Sequence, residues 1–264
     1  MLKELHTASL GMLNTQTRLE VTANNIANAD TKGYKRASVF ERNLIDSKAS
    51  LFNHPGKLEQ DDPPVGSYID WSTRGGYHHT DNPLDLAIDG SGFFVTRNAS
   101  GDKFLTRDGS FKLTPDGFIA TYDGKYLMGT DDDAIRIPDY MNIDGSDGTT
   151  KKTAVNIVVS ATGDVLANDV AIGTVQIVDC ENYSQLTRIE RQSFIADVDA
   201  GVKQVAEDMV NIKQGWLENS NVDIITEMVT MIELQRAFEA GSKVIQTNDN
   251  TLERSISTSR FGYY

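Results

Sequence analysis

At 264 residues, with 39 % hydrophobic residues and a mean hydropathy of −0.36, the chain can build a sizeable core in one or two domains. It holds no apolar run of roughly 18 residues, the length a bilayer-spanning helix requires. A formal net charge of −13 argues against nucleic-acid binding, which needs a cationic surface to displace counterions, and the single cysteine, Cys180, excludes an intramolecular disulfide.

The charge is unevenly placed. Residues 1–36 carry five basic and three acidic side chains and residues 219–264 carry four and six, so the acidic excess sits between them. In the first segment Leu2, Leu5, Ser9, Met12, Gln16, Leu19, Ala23 and Ile26 alternate three and four apart, which predicts a helix with one largely apolar face. Asn28, Asp30, Thr31 and Gly33 then favour caps and turns, so the helix is expected to stop there and the chain to hinge at Asn28, Asp30 and Gly33. Lys32, Lys35 and Arg36 follow as a basic cluster, expected to meet an acidic neighbour. Lys3 is followed at once by Glu4 with no apolar centre behind it, so no cleaved secretory signal is expected.

Residues 37–80 read as an irregular connector broken at Pro55-Gly56 and Pro63-Pro64. From Leu84 the apolar period becomes two, with Asp-Gly pairs at 89–90, 108–109, 116–117 and 123–124 between short β-prone runs. Such pairs mark tight turns that need positive φ, and the spacing predicts an antiparallel β-domain over residues 81–180. Residues 181–218 form a return segment in which Val202, Val205, Met209 and Ile212 have helical spacing, while 210–217 also reads as a strand.

From Asn219 the pattern is helical. Ile224, Met228, Met231, Phe238, Ile245 and Leu252 belong to a sustained heptad seam, and Val222, Ile225, Val229 and Ile232 make a second stripe on a neighbouring face. Asp223 suits the first turn, where unpaired amides favour a carboxylate. One stripe suits one partner helix; two stripes suit a helix set among several. The reading is therefore α+β: segments 1–36 and 219–264 pair as a coiled-coil-like helical polymerisation domain around an antiparallel β-rich centre. The assembly residues are Leu2, Leu5, Met12, Leu19 and Ile26 on the N-terminal seam, and Ile224, Met228, Met231, Phe238, Ile245 and Leu252 on the C-terminal seam.

No pattern of catalysis or ligation competes with this. Gly90-x-Gly92 leads into Phe93-Phe94-Val95 instead of a helix, as a dinucleotide fingerprint would require. Asp144-x-x-Asp147-Gly148 lacks calcium-loop spacing, and His78-His79 has no partner at helical spacing. Asp131-Asp132-Asp133 reads as a solvated run, and Cys180 as a buried inert thiol. No cofactor, metal or catalytic residue is expected.

Three stretches carry a family resemblance. Asn24-Asn25-Ile26-Ala27-Asn28 with Thr31-Lys32-Gly33-Tyr34-Lys35-Arg36 resembles the N-terminal signature of the bacterial flagellar basal-body rod and hook proteins. Asn82-Pro83-Leu84-Asp85-Leu86-Ala87-Ile88-Asp89-Gly90-Ser91-Gly92-Phe93-Phe94-Val95, followed by Phe104 to Phe111, is similar to their β-domain signature. Leu217 to Asp223 and Met231 to Glu239 are similar to their C-terminal signature. The resemblance implies a non-enzymatic axial subunit of the flagellar rod that passes through the flagellar export apparatus without a cleaved signal. It would polymerise helically with copies of itself and other axial proteins, transmit torque from motor to hook and line the export channel of the periplasm-spanning rod, without inserting into a membrane. Lone terminal helices are marginal in water because their apolar faces need burial, so both are expected to be disordered in the monomer and to fold on assembly. A hook-type axial protein, or a secreted adhesin-like β-protein joined through its terminal helices, are the alternatives.

Overall fold

The computed structural model describes residues 2–41, 65–137, 141–142, 151–152, 156–190, 192–206 and 209–260. The 144–150 loop and the two proline breaks of the connector lie outside these residues, as do the side chains of Leu2 and Leu5. The chain divides into two compact units. A helical unit comprises Met1–Ala29, Arg36–Asp70 and Val222–Tyr264, and a β unit comprises Asp30–Lys35 and Trp71–Asn221.

In the helical unit, α1 spans Leu2–Ala27 and α2 spans Ile224–Arg260, with a hairpin of β1 (Ala37–Glu41) and β2 (Val65–Ile69) beside them. The end of α1 is closed by asparagine: the Asn28 amide donates to the Asn24 and Asn25 carbonyls, and its side chain donates to Asn24 O at 2.8 Å. These bonds satisfy carbonyls that the last helical turn leaves open. α2 starts at Ile224, five residues after the expected start at Asn219, because Asp223 caps it. The Asp223 carboxylate accepts from the Ile225 amide at 3.1 Å and the Thr226 hydroxyl at 2.6 Å. The Thr226 hydroxyl, then the amide, hold that carboxyl below its ordinary pKa. Met12 lies against Gly241 while Asn25 bonds Glu227, so the two helices run antiparallel.

The β unit is antiparallel. Its strands are β3 (Tyr77–His79), β4 (Leu86–Ile88), β5 (Phe93–Arg97), β6 (Lys103–Thr106), β7 (Phe111–Leu113), β8 (Ile119–Thr121) and β9 (Tyr126–Leu127). They continue with β10 (Met141–Asn142), β11 (Lys151–Lys152), β12 (Ile157–Val159), β13 (Asp164–Ala167), β14 (Val170–Thr174) and β15 (Ile177–Cys180). The last are β16 (Leu186–Arg188), β17 (Ser193–Ala196), β18 (Val202–Gln204), β19 (Ile212–Gln214) and β20 (Trp216–Glu218). The main sheet runs β16-β17-β6-β5-β9-β8-β7, with β15 also on β5 and β18 on β15. The return segment closes the unit, since β19 pairs with β4 and β20 with β3. Residues 210–217 are thus extended, and the helical spacing of Val202 to Ile212 is not used.

Period-two burial explains the core. Leu86, Ile88, Phe94, Phe111, Ile119, Leu127, Val165 and Ile177 are fully buried in one cluster, and Trp71 stacks edge-on against Phe93 and Phe194 on another side of β5. Asp116-Gly117 and Asp123-Gly124 are turns with glycine φ of 85° and 84°. Asp108-Gly109 departs from the expected positive-φ turn. A Cβ on Gly109 would lie 1.6 Å from the Leu86 carbonyl oxygen, so this glycine serves close backbone approach.

Candidate assembly site and its anchors

Among the described residues each unit holds one buried glutamate, and the basic cluster of the N-terminal signature supplies a partner to each. In the β unit, Glu218 at the end of β20 accepts from Lys35 Nζ at 2.6 Å, from Arg107 at 3.2 Å and from the Gly75 amide at 3.4 Å. The guanidinium of Arg107 also donates to Gly90 O at 2.9 Å and lies over the Phe93 ring. Burial pushes the Lys35 ammonium below its ordinary pKa, and the Glu218 charge partly offsets that. The backbone follows the side chains: the Gly33 amide donates to Glu218 O at 2.8 Å, and Lys32 Nζ donates to Asn219 Oδ1 at 2.8 Å. Gly33 has φ 67°, and a Cβ there would lie 2.5 Å from the Arg107 carbonyl carbon, so no other residue fits. Arg188 donates to Lys35 O at 2.5 Å and covers the Tyr34 ring.

In the helical unit, Glu227 is 2 % exposed and accepts from Arg36 Nε at 2.5 Å and from Asn25 Nδ2 at 3.3 Å. Asn25 also makes a reciprocal pair with the Ala37 backbone, donating to its carbonyl at 2.8 Å and accepting from its amide at 2.9 Å. Lys35 and Arg36 are neighbours in sequence yet serve different units. Of the basic cluster expected to meet an acidic neighbour, Lys35 and Arg36 meet carboxylates of the same chain, and Lys32 meets the side-chain oxygen of Asn219. Arg107, Glu218, Asn25 and Glu227 were not singled out as functional residues in the sequence. For Asn25, Arg107 and Glu218 the signal was their place inside the quoted signatures, Glu227 falls between two of those stretches, and nothing in the spacing couples residues 111 to 202 positions apart.

The seam residues lie on the helices as spaced, but they are incompletely covered. Met12, Leu19, Ile26, Ile224, Met231, Phe238, Ile245 and Leu252 are half-buried, and Met228 is exposed. The second stripe is more open: Ile225 is 75 % exposed, Val229 52 % and Ile232 51 %. Of the three residues expected to form a hinge, Asn28 is buried in the helical unit, while Asp30, which is exposed, and Gly33, which is buried, belong to the β unit.

The described residues thus comprise a β unit with its own apolar core and a helical unit in which α2 carries exposed apolar side chains. Comparison with known proteins makes this specific. Family models match in chain order: the flagella basal body rod protein model at residues 5–35, the flagellar hook protein FlgE/F/G D1 domain at 87–167, and the flagellar basal body rod FlgEFG protein C-terminal model at 213–258. The chain is 30 % identical to the flagellar basal-body rod protein FlgG of Agrobacterium fabrum, over 94 % of this chain and 96 % of that protein. It is 30 % identical to the FlgG of Bacillus subtilis over 98 % and 100 %, and 30 % identical to the flagellar basal-body rod protein FlgF of Caulobacter vibrioides over 93 % and 91 %. The chain belongs to the flagellar basal-body rod protein family, a family of structural rod subunits.

Proposed function

We propose that the chain works as a non-enzymatic axial subunit, assembling head to tail with copies of itself and other flagellar axial proteins into a helical rod. A heterologous contact that does not close generates such a filament. In this reading segments 1–36 and 219–264 are the polymerisation domain. Their helices pack coiled-coil-like with those of neighbours, as an inner layer that lines the export channel and carries torque from motor to hook. Leu2, Leu5, Met12, Leu19 and Ile26 and the α2 seam from Ile224 to Leu252 supply the contacts. Asn28, Asp30 and Gly33 act as the hinge. The subunit reaches the periplasm-spanning rod through the flagellar export apparatus without a cleaved signal, and neither binds nucleic acid nor inserts into a membrane.

The observation that carries this is the open apolar surface of α2. Ile225, Met228, Val229 and Ile232 are each at least half exposed over two consecutive turns. A soluble subunit avoids a contiguous apolar patch of this kind unless a partner covers it. The test is incorporation: Met231→Asp or Phe238→Asp should abolish entry into basal bodies and motility while the β unit stays folded. Normal assembly of either variant would remove the seam from the contact.

A further inference from the structure

We propose that Asp30–Lys35 is a strap that seats on a β unit already complete without it, and that this seating is required for assembly and not for folding of the β unit. The proposal rests on the axial-subunit reading. It adds the point at which each chain's N-terminal segment is fixed to its own β unit.

The first ground is that the strap belongs to the β unit but builds none of its frame. The stretches on either side of it, Met1–Ala29 and Arg36–Asp70, belong to the helical unit. No strand forms within it, and none of its side chains enters the main apolar cluster that holds Phe94, Phe111, Leu127 and Ile177. The return strands close the unit instead, β19 on β4 and β20 on β3. A segment laid over a finished sheet can open without unfolding it, because local opening that breaks few core contacts costs less than global unfolding.

The second ground is the selectivity of the seat. Gly33 has φ 67°, and a Cβ there would lie 2.5 Å from the Arg107 carbonyl carbon, so only glycine passes. Its amide donates to Glu218 O at 2.8 Å. Tyr34 is 1 % exposed, with the Arg188 guanidinium 4.4 Å above its ring, and its carbonyl accepts from the Asn221 amide at 3.4 Å. Lys35 Nζ donates to the Glu218 carboxylate at 2.6 Å and to Thr73 O at 3.4 Å, while its carbonyl accepts from Arg188 at 2.5 Å. Three successive residues are thus read in three ways, by backbone fit, by aromatic cover and by buried charge. A spacer needs only length; this seat requires one sequence. Arg107 also donates to Glu218, so the carboxylate keeps a partner with the strap open and unseating strands no buried charge.

The consequence is that seating fixes where the chain of the helical unit leaves the β unit. Gly33 is the seated end of the hinge, and turning falls to Asn28 and Asp30. Lys35 and Arg188 are positioning residues in this scheme.

Full-length variants, each expressed in place of the unsubstituted chain, test it by the amount found in purified basal bodies and by amide exchange on the purified chain. Gly33→Ala forces a Cβ against the Arg107 backbone. It should lower incorporation about tenfold or more, while exchange in β5 and β6 stays within about twofold of the unsubstituted chain. Gly76→Ala is the control, because a Cβ there meets nothing within 4 Å, and it should incorporate normally. Lys35→Met and Arg188→Met probe the seat from its two sides. Each should lower incorporation about threefold or more, and the double variant no further than the stronger single one, since both remove the same seating. Losses that multiply in the double variant, normal incorporation of Gly33→Ala, or faster exchange throughout β5 and β6 in Gly33→Ala each overturn the proposal. Absence of the unsubstituted chain from basal bodies would instead defeat the axial-subunit reading, while the exchange comparison still decides whether the β unit stands without its strap.

Discussion

The two units solve burial in opposite ways. In the β unit, apolar side chains such as Phe94, Phe111 and Leu127 are sealed, and the buried Glu218 is paired with Lys35 and Arg107. Among the described residues of the helical unit the buried groups are Thr22, Asn25, Asn28 and Glu227, and apolar side chains lie open along α2. The difference follows from what each unit must complete by itself. A sheet folded around its own core satisfies its apolar area within one chain, whereas a helix with two apolar stripes has more apolar surface than one partner helix can cover.

The contrast is broken most directly at Glu218. Glu218→Ala leaves Lys35 and Arg107 as uncompensated buried cations, and should destabilise the β unit by about 3–5 kcal/mol, read from the tryptophan denaturation midpoint. The helical circular dichroism should be retained. A loss below about 1 kcal/mol, the scale of a solvent-exposed pair, would place this cluster in effective contact with water.

A smaller effect concerns the core alone. Burial, and then the Asp179 charge, push the Cys180 thiol up from 9.0 to about 11. The folded thiol therefore keeps its proton where the unfolded one loses it. Stability from this group is intact below pH 9 and falls as the pH rises from 9 toward 11. The full loss is about 2–3 kcal/mol, at about 1.36 kcal/mol per pKa unit. Denaturation midpoints measured against pH should fall less steeply in Cys180→Ala. Tyr183 is also pushed up, by burial and by its hydrogen bond to Asp179, so a residual slope above pH 10 should persist in that variant. An identical slope in both proteins would show the thiol to be solvated.

The smallest effect sharpens the other side. Ile225→Ser on the open stripe should change monomer stability by less than about 0.5 kcal/mol, as for other exposed positions, while lowering incorporation into basal bodies. A large loss of monomer stability would show that the stripe is already covered within the chain.

Much of the architecture was legible in the residues. The three-and-four spacing of Leu2 to Ile26 and of Ile224 to Leu252 marked both helices, because a helical face repeats about every 3.6 residues. Alternation from Leu84 and the Asp-Gly pairs marked an antiparallel β body, because tight turns need residues that tolerate positive φ. Local chemistry also placed the ends of α1 and α2 near Asn28 and Asp223. The tertiary structure alone decided the rest. That Gly109 serves close approach depends on Leu86 lying across it. That the acidic groups met by Lys35 and Arg36 are Glu218 and Glu227 of the same chain depends on contacts between residues more than 180 positions apart. Periodicity reports which face of an element is apolar; it carries no information about which distant charge that element will meet, because that is set by how the folded chain brings its two ends together.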